Sequence, residues 1–279
     1  MAERRPSDHA QSTAVGSWDG FWSGRDEMSE FIRLAWQVYY EFWDEVFLSM
    51  APGKELLECG AGSGMHSRHM ASQGFRPTLL DNSMVGLDLG RREFRRRGLY
   101  GRFIVGDVFK LPFQGNQFDA VFSGGLLEHF EDVRPVIGEM VRVLKPGGLF
   151  AATIITKRFS CQSLADYTFN WTAKFTARAV TGRFKNIIWM SGRRFPFYEN
   201  SIPIGAYRKV IQEAGVERVV VTGTDPFPSL ALPMFMQDHV YVPVVKMLAP
   251  LWRRFNRSRS RVTDVWGQAW AAYGVKRPG

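Results

Sequence analysis

The chain has 279 residues, 45% of them hydrophobic and 23% charged, with a formal net charge of +9. That length buries a sizeable core without help, and two widely spaced cysteines, Cys59 and Cys161, argue against a disulfide framework or a zinc site. The polar start Met1–Ser17 has no secretory apolar core, and no run reaches the roughly 18–20 apolar residues of a membrane span, so a cytoplasmic protein is expected.

In chain order, residues 1–17 read as a disordered tail and 18–52 as a helical cap. Within the cap Ile32, Trp36, Tyr39, Tyr40, Trp43 and Phe47 recur at helical spacing, which predicts one apolar face laid on the core or over a site. From Gly53 the pattern becomes an alternation of strands and helices. Strands are predicted at Glu55–Glu58, Arg76–Asp81, Arg102–Val105, Asp119–Ser123 and Leu149–Thr156. Helices are predicted at Met65–Gln73, Ser83–Arg97 and Val133–Leu144. Asn82 or Ser83 would cap the second of these, and Gly98 would stop it. Such alternation predicts a parallel sheet with helices on both faces. This core covers 53–156 and resumes over 201–224, with a helix at Gly205–Glu213 and a strand at Glu217–Thr222. Two insertions interrupt it: an aromatic, basic lid over 157–200, and a proline-rich segment over 225–262 ending in basic residues. Residues 263–279 close the chain, with Trp270–Lys276 read as a final edge strand.

The segment Glu55-Leu-Leu-Glu-Cys-Gly-Ala-Gly-Ser-Gly-Met65 carries the central chemical signal. A strand runs into Gly60, Gly62 and Gly64, then into a helix whose first N–H groups are free to meet a ligand. A dinucleotide fingerprint would need a sixth-position glycine where Met65 stands, and no Gly-Lys-Ser/Thr follows for a P-loop. What remains is an acidic residue, Glu58, ahead of three alternate glycines, which suits a cationic ligand group. Asp81, 17 residues beyond Gly64, stands where a carboxylate can accept from a ribose diol, although it could also cap the helix that follows. After the third strand, Asp107 can accept from an exocyclic amine while Val108 packs on the ring.

These segments resemble the class I S-adenosylmethionine-dependent methyltransferases, in particular the small-molecule group of ubiquinone and menaquinone biosynthesis. The resemblance is carried by Leu56–Gly64, Leu79–Ser83, Gly106–Phe113, Phe118–Phe122, Leu127–His129 and Val143–Gly148, in the order and spacing of that family. It covers about 100 residues strongly. Ala61 departs from the family's frequent Gly-Cys-Gly, yet is small enough for binding to survive. The resemblance implies a Rossmann-like, doubly wound sheet of seven strands with the last antiparallel, and S-adenosylmethionine across its carboxyl edge. Glu58, Gly60, Gly62 and Gly64 would hold the methionine moiety, with Ser123 and Gly124 at its amino-acid end. Asp81 and the adjoining Asn82 would hold the ribose, and Asp107 with Val108 the adenine.

Methyl transfer is an in-line displacement whose main demand is alignment, and a base is needed only where the acceptor must lose a proton. Glu128 and His129, just past the fourth strand, are the candidate catalytic groups; a histidine bracing the cofactor loop is the other reading of His129. No metal is expected. The basic residues Arg91–Arg97 read as a solvated helix face. Arg253–Arg261, following the apolar stretch Val240–Leu251, read either as a solvated lid end or as contact with an anionic membrane. No nucleic-acid recognition module or base-pocket motif appears, so nucleic acid is not expected as a partner. The expected acceptor is a small, apolar or lipid-like molecule roofed by the cap and both insertions. A protein or RNA methyltransferase, or a scaffold that has lost catalysis, is the alternative.

Overall fold

The computed structural model describes residues 30–173, 175–176 and 198–278. The predicted tail, residues 18–29 of the cap, and much of the 157–200 lid, Trp189 included, lie outside the described residues.

Seven strands form one sheet in the order β3-β2-β1-β4-β5-β7-β6. They are β1 (Glu55–Cys59), β2 (Arg76–Asp81), β3 (Arg102–Val105), β4 (Phe118–Gly124), β5 (Leu144–Ile154), β6 (Val216–Thr224) and β7 (Ala269–Lys276). The first five run parallel to one another, and β7 is antiparallel to both β5 and β6. This is the expected Rossmann-like sheet with its last strand reversed. One expectation is corrected: Trp270–Lys276 is not an edge strand but lies between β5 and β6, and β6 is the edge. The physical reason is visible in the residues. Ala269 to Val275 are all buried, as an interior strand requires, whereas β6 carries Glu217 and Arg218, charges that protect an exposed edge.

Helices α1 (Glu30–Met50), α2 (Met65–Ser72), α3 (Met84–Arg96) and α4 (Arg134–Val143) precede β5. The apolar face predicted for the cap does two jobs. Phe42, Trp43, Val46 and Phe47 pack with Leu56, Ala120, Phe122 and Tyr273 of the sheet. Phe31, Leu34 and Val38 pack instead with Val242, Val245 and Trp252 of the second insertion. Ser83 is the N-cap of α3, its hydroxyl accepting from the Gly86 N–H, which settles the choice between Asn82 and Ser83. On that helix Arg91 and Arg96 pair with Asp88 and Glu93 at the surface, as a solvated face would.

The first insertion opens with α5 (Cys161–Ala165), and α6 (Ile204–Glu213) returns the chain to the sheet. The second insertion is helical from Met234, where a short α-helical turn (Met234–Met236) and a π-helical turn (Gln237–Tyr241) lead into α7 (Val242–Met247), α8 (Ala249–Arg257) and α9 (Arg261–Trp266). Residues 263–266, assigned from sequence to the closing strand segment, are therefore helical, and β7 begins only at Ala269. Ser260 explains the helix, since it forms a capping box with Thr263.

The two insertions are tied to each other. The Gln162 carboxamide accepts from the Ser229 N–H at 2.7 Å, and Asn170 both donates to the Ser229 carbonyl and accepts from the Ala231 N–H. Arg253 and Arg257 reach back to Glu41 and Glu45 on α1, with nitrogen–oxygen distances of 2.6 and 2.7 Å. The second insertion is thus tied both to the described part of the first and to the cap, which itself lies across β1 as well as β4 and β7.

Candidate functional site

The site forms where the parallel strands end. Gly60, Gly62 and Gly64 all have φ between +52° and +66°, the left-handed region that favours glycine. A side chain at two of them would add a close contact to that backbone strain: a Cβ at Gly60 would lie 2.8 Å from Leu126 Cδ1, and one at Gly64 would overlap Leu79 Cδ2, so the leucine would have to move. The loop is held against the next strand by Asp81. One carboxylate oxygen accepts from the Gly62 N–H and the other from the Ser83 N–H, each at 2.7 Å. The carboxylate thereby organises the loop at the carboxyl end of β2.

Glu58 ends β1 as a buried side chain whose Oε2 accepts from the Ser67 N–H at 2.9 Å. Burial pushes its pKa up to about 7, which leaves it poised to ionise when a cation arrives. Ser123, fully buried at the end of β4, has a hydroxyl without a hydrogen-bond partner among the described residues. Gly124 beside it is exposed. Asn82 lies exposed between Asp81 and the Ser83 cap. Asp107 is exposed after β3, its Oδ1 accepting from the Phe109 N–H at 2.9 Å. The Val108 side chain lies instead in the buried core cluster that holds Leu80 and Leu111. The donor set therefore fits S-adenosylmethionine at its charged and ribose ends: a glycine loop whose positive φ disfavours side chains, two buried carboxyls, and a hydroxyl without a partner among the described residues. No group of His, Cys, Asp and Glu able to hold a metal occurs among the described residues.

Glu128 and His129 occupy a short 3-10 turn (Leu127–His129) after β4. Glu128 is 2% exposed, its Oε2 has no partner among the described residues, and burial raises its pKa to about 8. His129 Nδ1 lies 2.7 Å from the Tyr198 carbonyl, so that nitrogen carries the proton and the ring joins the β4 loop to the end of the first insertion. Burial lowers the His129 pKa, the backbone contacts opposing that shift, and the ring is neutral at physiological pH. The same junction is locked by Asn200, whose N–H donates to the Glu128 carbonyl and whose carboxamide donates to Leu127 and Phe130 carbonyls.

Two residues at this edge went unassigned by sequence reasoning. Tyr39 of α1 places its hydroxyl 3.2 Å from Thr153 Oγ1, and a Cβ at Gly124 would lie 3.8 Å from that hydroxyl. A cap side chain therefore stands over the ends of β4 and β5. Asp225 follows β6 with φ +60°, unusual outside glycine, and burial raises its pKa to about 6. It receives the Trp252 and Thr224 donors on its carboxylate, while its carbonyl accepts from Gln268 and its N–H donates to Asn256. Helical spacing marked Tyr39 as inward-facing; nothing in the residue pattern said onto which strand it would fall. The aspartate before Pro226 was legible only as the first residue of the second insertion.

Strand order and a glycine loop braced by an acidic residue on the second strand define the fold of the class I methyltransferases. Residues 57–152 match a family model described as a methyltransferase domain. The chain is 32% identical over 138 residues to squalene methyltransferase 1 of Botryococcus braunii, covering 48% of this chain and 36% of that protein. It is 39% identical over 97 residues to a demethylmenaquinone methyltransferase of Renibacterium salmoninarum, covering 35% of this chain and 39% of the relative. The chain thus spans well under half the length of these relatives. Among solved structures, a Haloferax volcanii complex of the Trm112 methyltransferase activator aligns with a TM-score of 0.56 at 17% identity, over 95% of this chain and 98% of the other. The [4+2]-cyclase SpnF aligns with a TM-score of 0.51 at 18% identity, over 97% and 94%. At such identities these structures establish the fold alone, which hosts more than one chemistry.

Proposed function

We propose that the chain is an S-adenosylmethionine-dependent methyltransferase acting on a small, apolar or lipid-like acceptor. One observation carries the reading most: Asp81 fastens the glycine loop through Gly62 while the buried Glu58 carboxyl and the unpartnered Ser123 hydroxyl stand at neighbouring strand ends. Bound there, S-adenosylmethionine supplies a methyl group already activated on a sulfonium. Glu58 and the glycine loop hold its methionine end, Ser123 and Gly124 accompany them, Asp81 and Asn82 hold the ribose, and Asp107 accepts from the adenine amine. Val108 supports that site from the core.

The acceptor enters from the other half of the sheet edge, beneath α1 and the insertions. Tyr39, Thr153 and Glu128 offer polar groups there, which suits a molecule with a polar atom to align. Protonated at neutral pH, Glu128 donates a hydrogen bond to that atom; ionised, it accepts the acceptor's proton. His129 shares the turn, and its contacts favour the bracing role over that of base. The relatives named for squalene and demethylmenaquinone support an apolar acceptor. A cytoplasmic enzyme taking such a molecule would meet it at a membrane surface, and peripheral contact with anionic lipid belongs to this reading. No helix among the described residues is long and apolar enough to cross a membrane.

Labelled-methyl transfer into fractionated cell extract tests the reading. Label in the lipid or small-molecule fraction is expected. Label confined to protein or RNA would replace the acceptor class, and no transfer despite S-adenosylmethionine binding would favour a scaffold.

A further inference from the structure

The second insertion carries two apolar faces where a helix packed on one side needs only one. Val242, Val245, Ala249 and Trp252 are buried on the side facing the molecule, three of them in the cluster shared with α1. On the opposite side Val240, Val244, Met247 and Leu251 are 53%, 45%, 72% and 60% exposed. Hydrogen bonds from the Leu248 N–H to Val244 and from the Trp252 N–H to Leu248 carry the helical path across the join of α7 and α8. Val244, Met247 and Leu251 therefore make one stripe at spacings of three and four residues, and Val240 stands four residues before Val244 on the π-helical turn Gln237–Tyr241 that leads into α7. A solvated face would be polar at such positions.

Cationic side chains stand on the same helices and on α1. Lys246 and Arg254 are exposed on the same two helices, and Arg33 of α1 shares a shallow hollow with Leu34, Gln37 and Lys246. Arg253 and Arg257 turn the other way, to Glu41 and Glu45, so the basic run does not act as one patch. The chain as a whole carries +9.

We propose that the Val240–Leu251 stripe is the face by which the protein docks on an anionic lipid surface. The four apolar side chains enter the boundary of the acyl region, and Arg33, Lys246 and Arg254 meet the headgroups. This deepens the lipid-like acceptor reading, on which it rests for its purpose though not for its geometry. It also shifts the contact from the Arg253–Arg261 cluster to the helix face before it.

Flotation of the full chain with phosphatidylcholine vesicles, with and without phosphatidylglycerol, tests the proposal. Binding to the anionic vesicles alone, weakened by salt, is expected. Met247→Asp with Leu251→Asp should lower it on the order of tenfold or more, since both apolar contacts and the net charge suffer. Titration with S-adenosylmethionine should be unchanged in that variant, which separates loss of docking from misfolding and from failure of the enzymatic reading. No binding by the intact protein, or undiminished binding by the variant, overturns the proposal. Sedimentation showing a dimer that the variant dissociates, with no vesicle binding, would assign the stripe to a second copy of the chain.

Discussion

The N–H of Gly62 donates to the Asp81 carboxylate across 2.7 Å, so the glycine loop after β1 is held by the last residue of β2. One side chain thereby both shapes the loop and faces the ligand it would bind. Asp81→Ala should weaken S-adenosylmethionine binding by ~1–3 kcal/mol, as expected for hydrogen bonds to a charged group. Asp81→Asn keeps one acceptor oxygen and should fall between the two. Calorimetry of the three proteins decides it; equal affinities would remove Asp81 from the site.

Gly64 has the tightest surroundings in the loop, with Leu79 where a Cβ would go and φ at +66°. Gly64→Ala should cost ~1–3 kcal/mol of stability through overpacking, with backbone strain added, and lower cofactor affinity with it. A thermal melt matching the parent would contradict this reading of the loop.

Much of this site is legible in the amino-acid sequence, for identifiable reasons. Gly60, Gly62, Gly64, Asp81 and Asp107 follow strands whose apolar runs are unambiguous, so their places at one edge follow from parallel order. The β7 placement does not follow from order, yet Ala269 to Val275 hold no charged residue and Glu217 and Arg218 mark the other strand as the edge; that contrast is readable in the residues. Tyr39 and Asp225 are different. Each acquires its position from contacts more than 25 residues distant, Thr153 for one and Trp252 for the other, which local periodicity does not encode.

Glu58 should make cofactor affinity depend on pH. Its pKa is about 7 in the free protein, and a bound ammonium would hold the carboxylate ionised and lower that value. Affinity should therefore rise with pH from about 5.5 and level off above about 7, and Glu58→Gln should flatten the rise. A wild-type affinity independent of pH across that window would sink the assignment.

Glu128 makes a claim on stability. Its folded pKa, about 8, lies above the ordinary carboxyl value of 4.5, so folding favours the protonated form. The stability this contributes is complete below pH 4.5 and is lost as pH rises through 8. Glu128→Gln, always neutral, should melt higher than the parent at pH 8.5, by a few kcal/mol at most, with the gap closing toward pH 5. The reverse order at pH 8.5 would show an ionised, well-solvated carboxylate.

His129 separates bracing from catalysis. With Nδ1 committed to the Tyr198 carbonyl, His129→Ala should lower stability by ~1–2 kcal/mol. His129→Gln should leave a substantial part of turnover and the acidic limb of the rate profile. Near-complete loss of turnover with unchanged stability would restore the histidine as the base.

If the glycine loop and its acidic partners bind S-adenosylmethionine, titration calorimetry of the full chain will show it. One-to-one binding of S-adenosylmethionine, abolished by Gly60→Arg and absent with NAD, is the predicted result. Tight binding of NAD with none of S-adenosylmethionine would contradict the account.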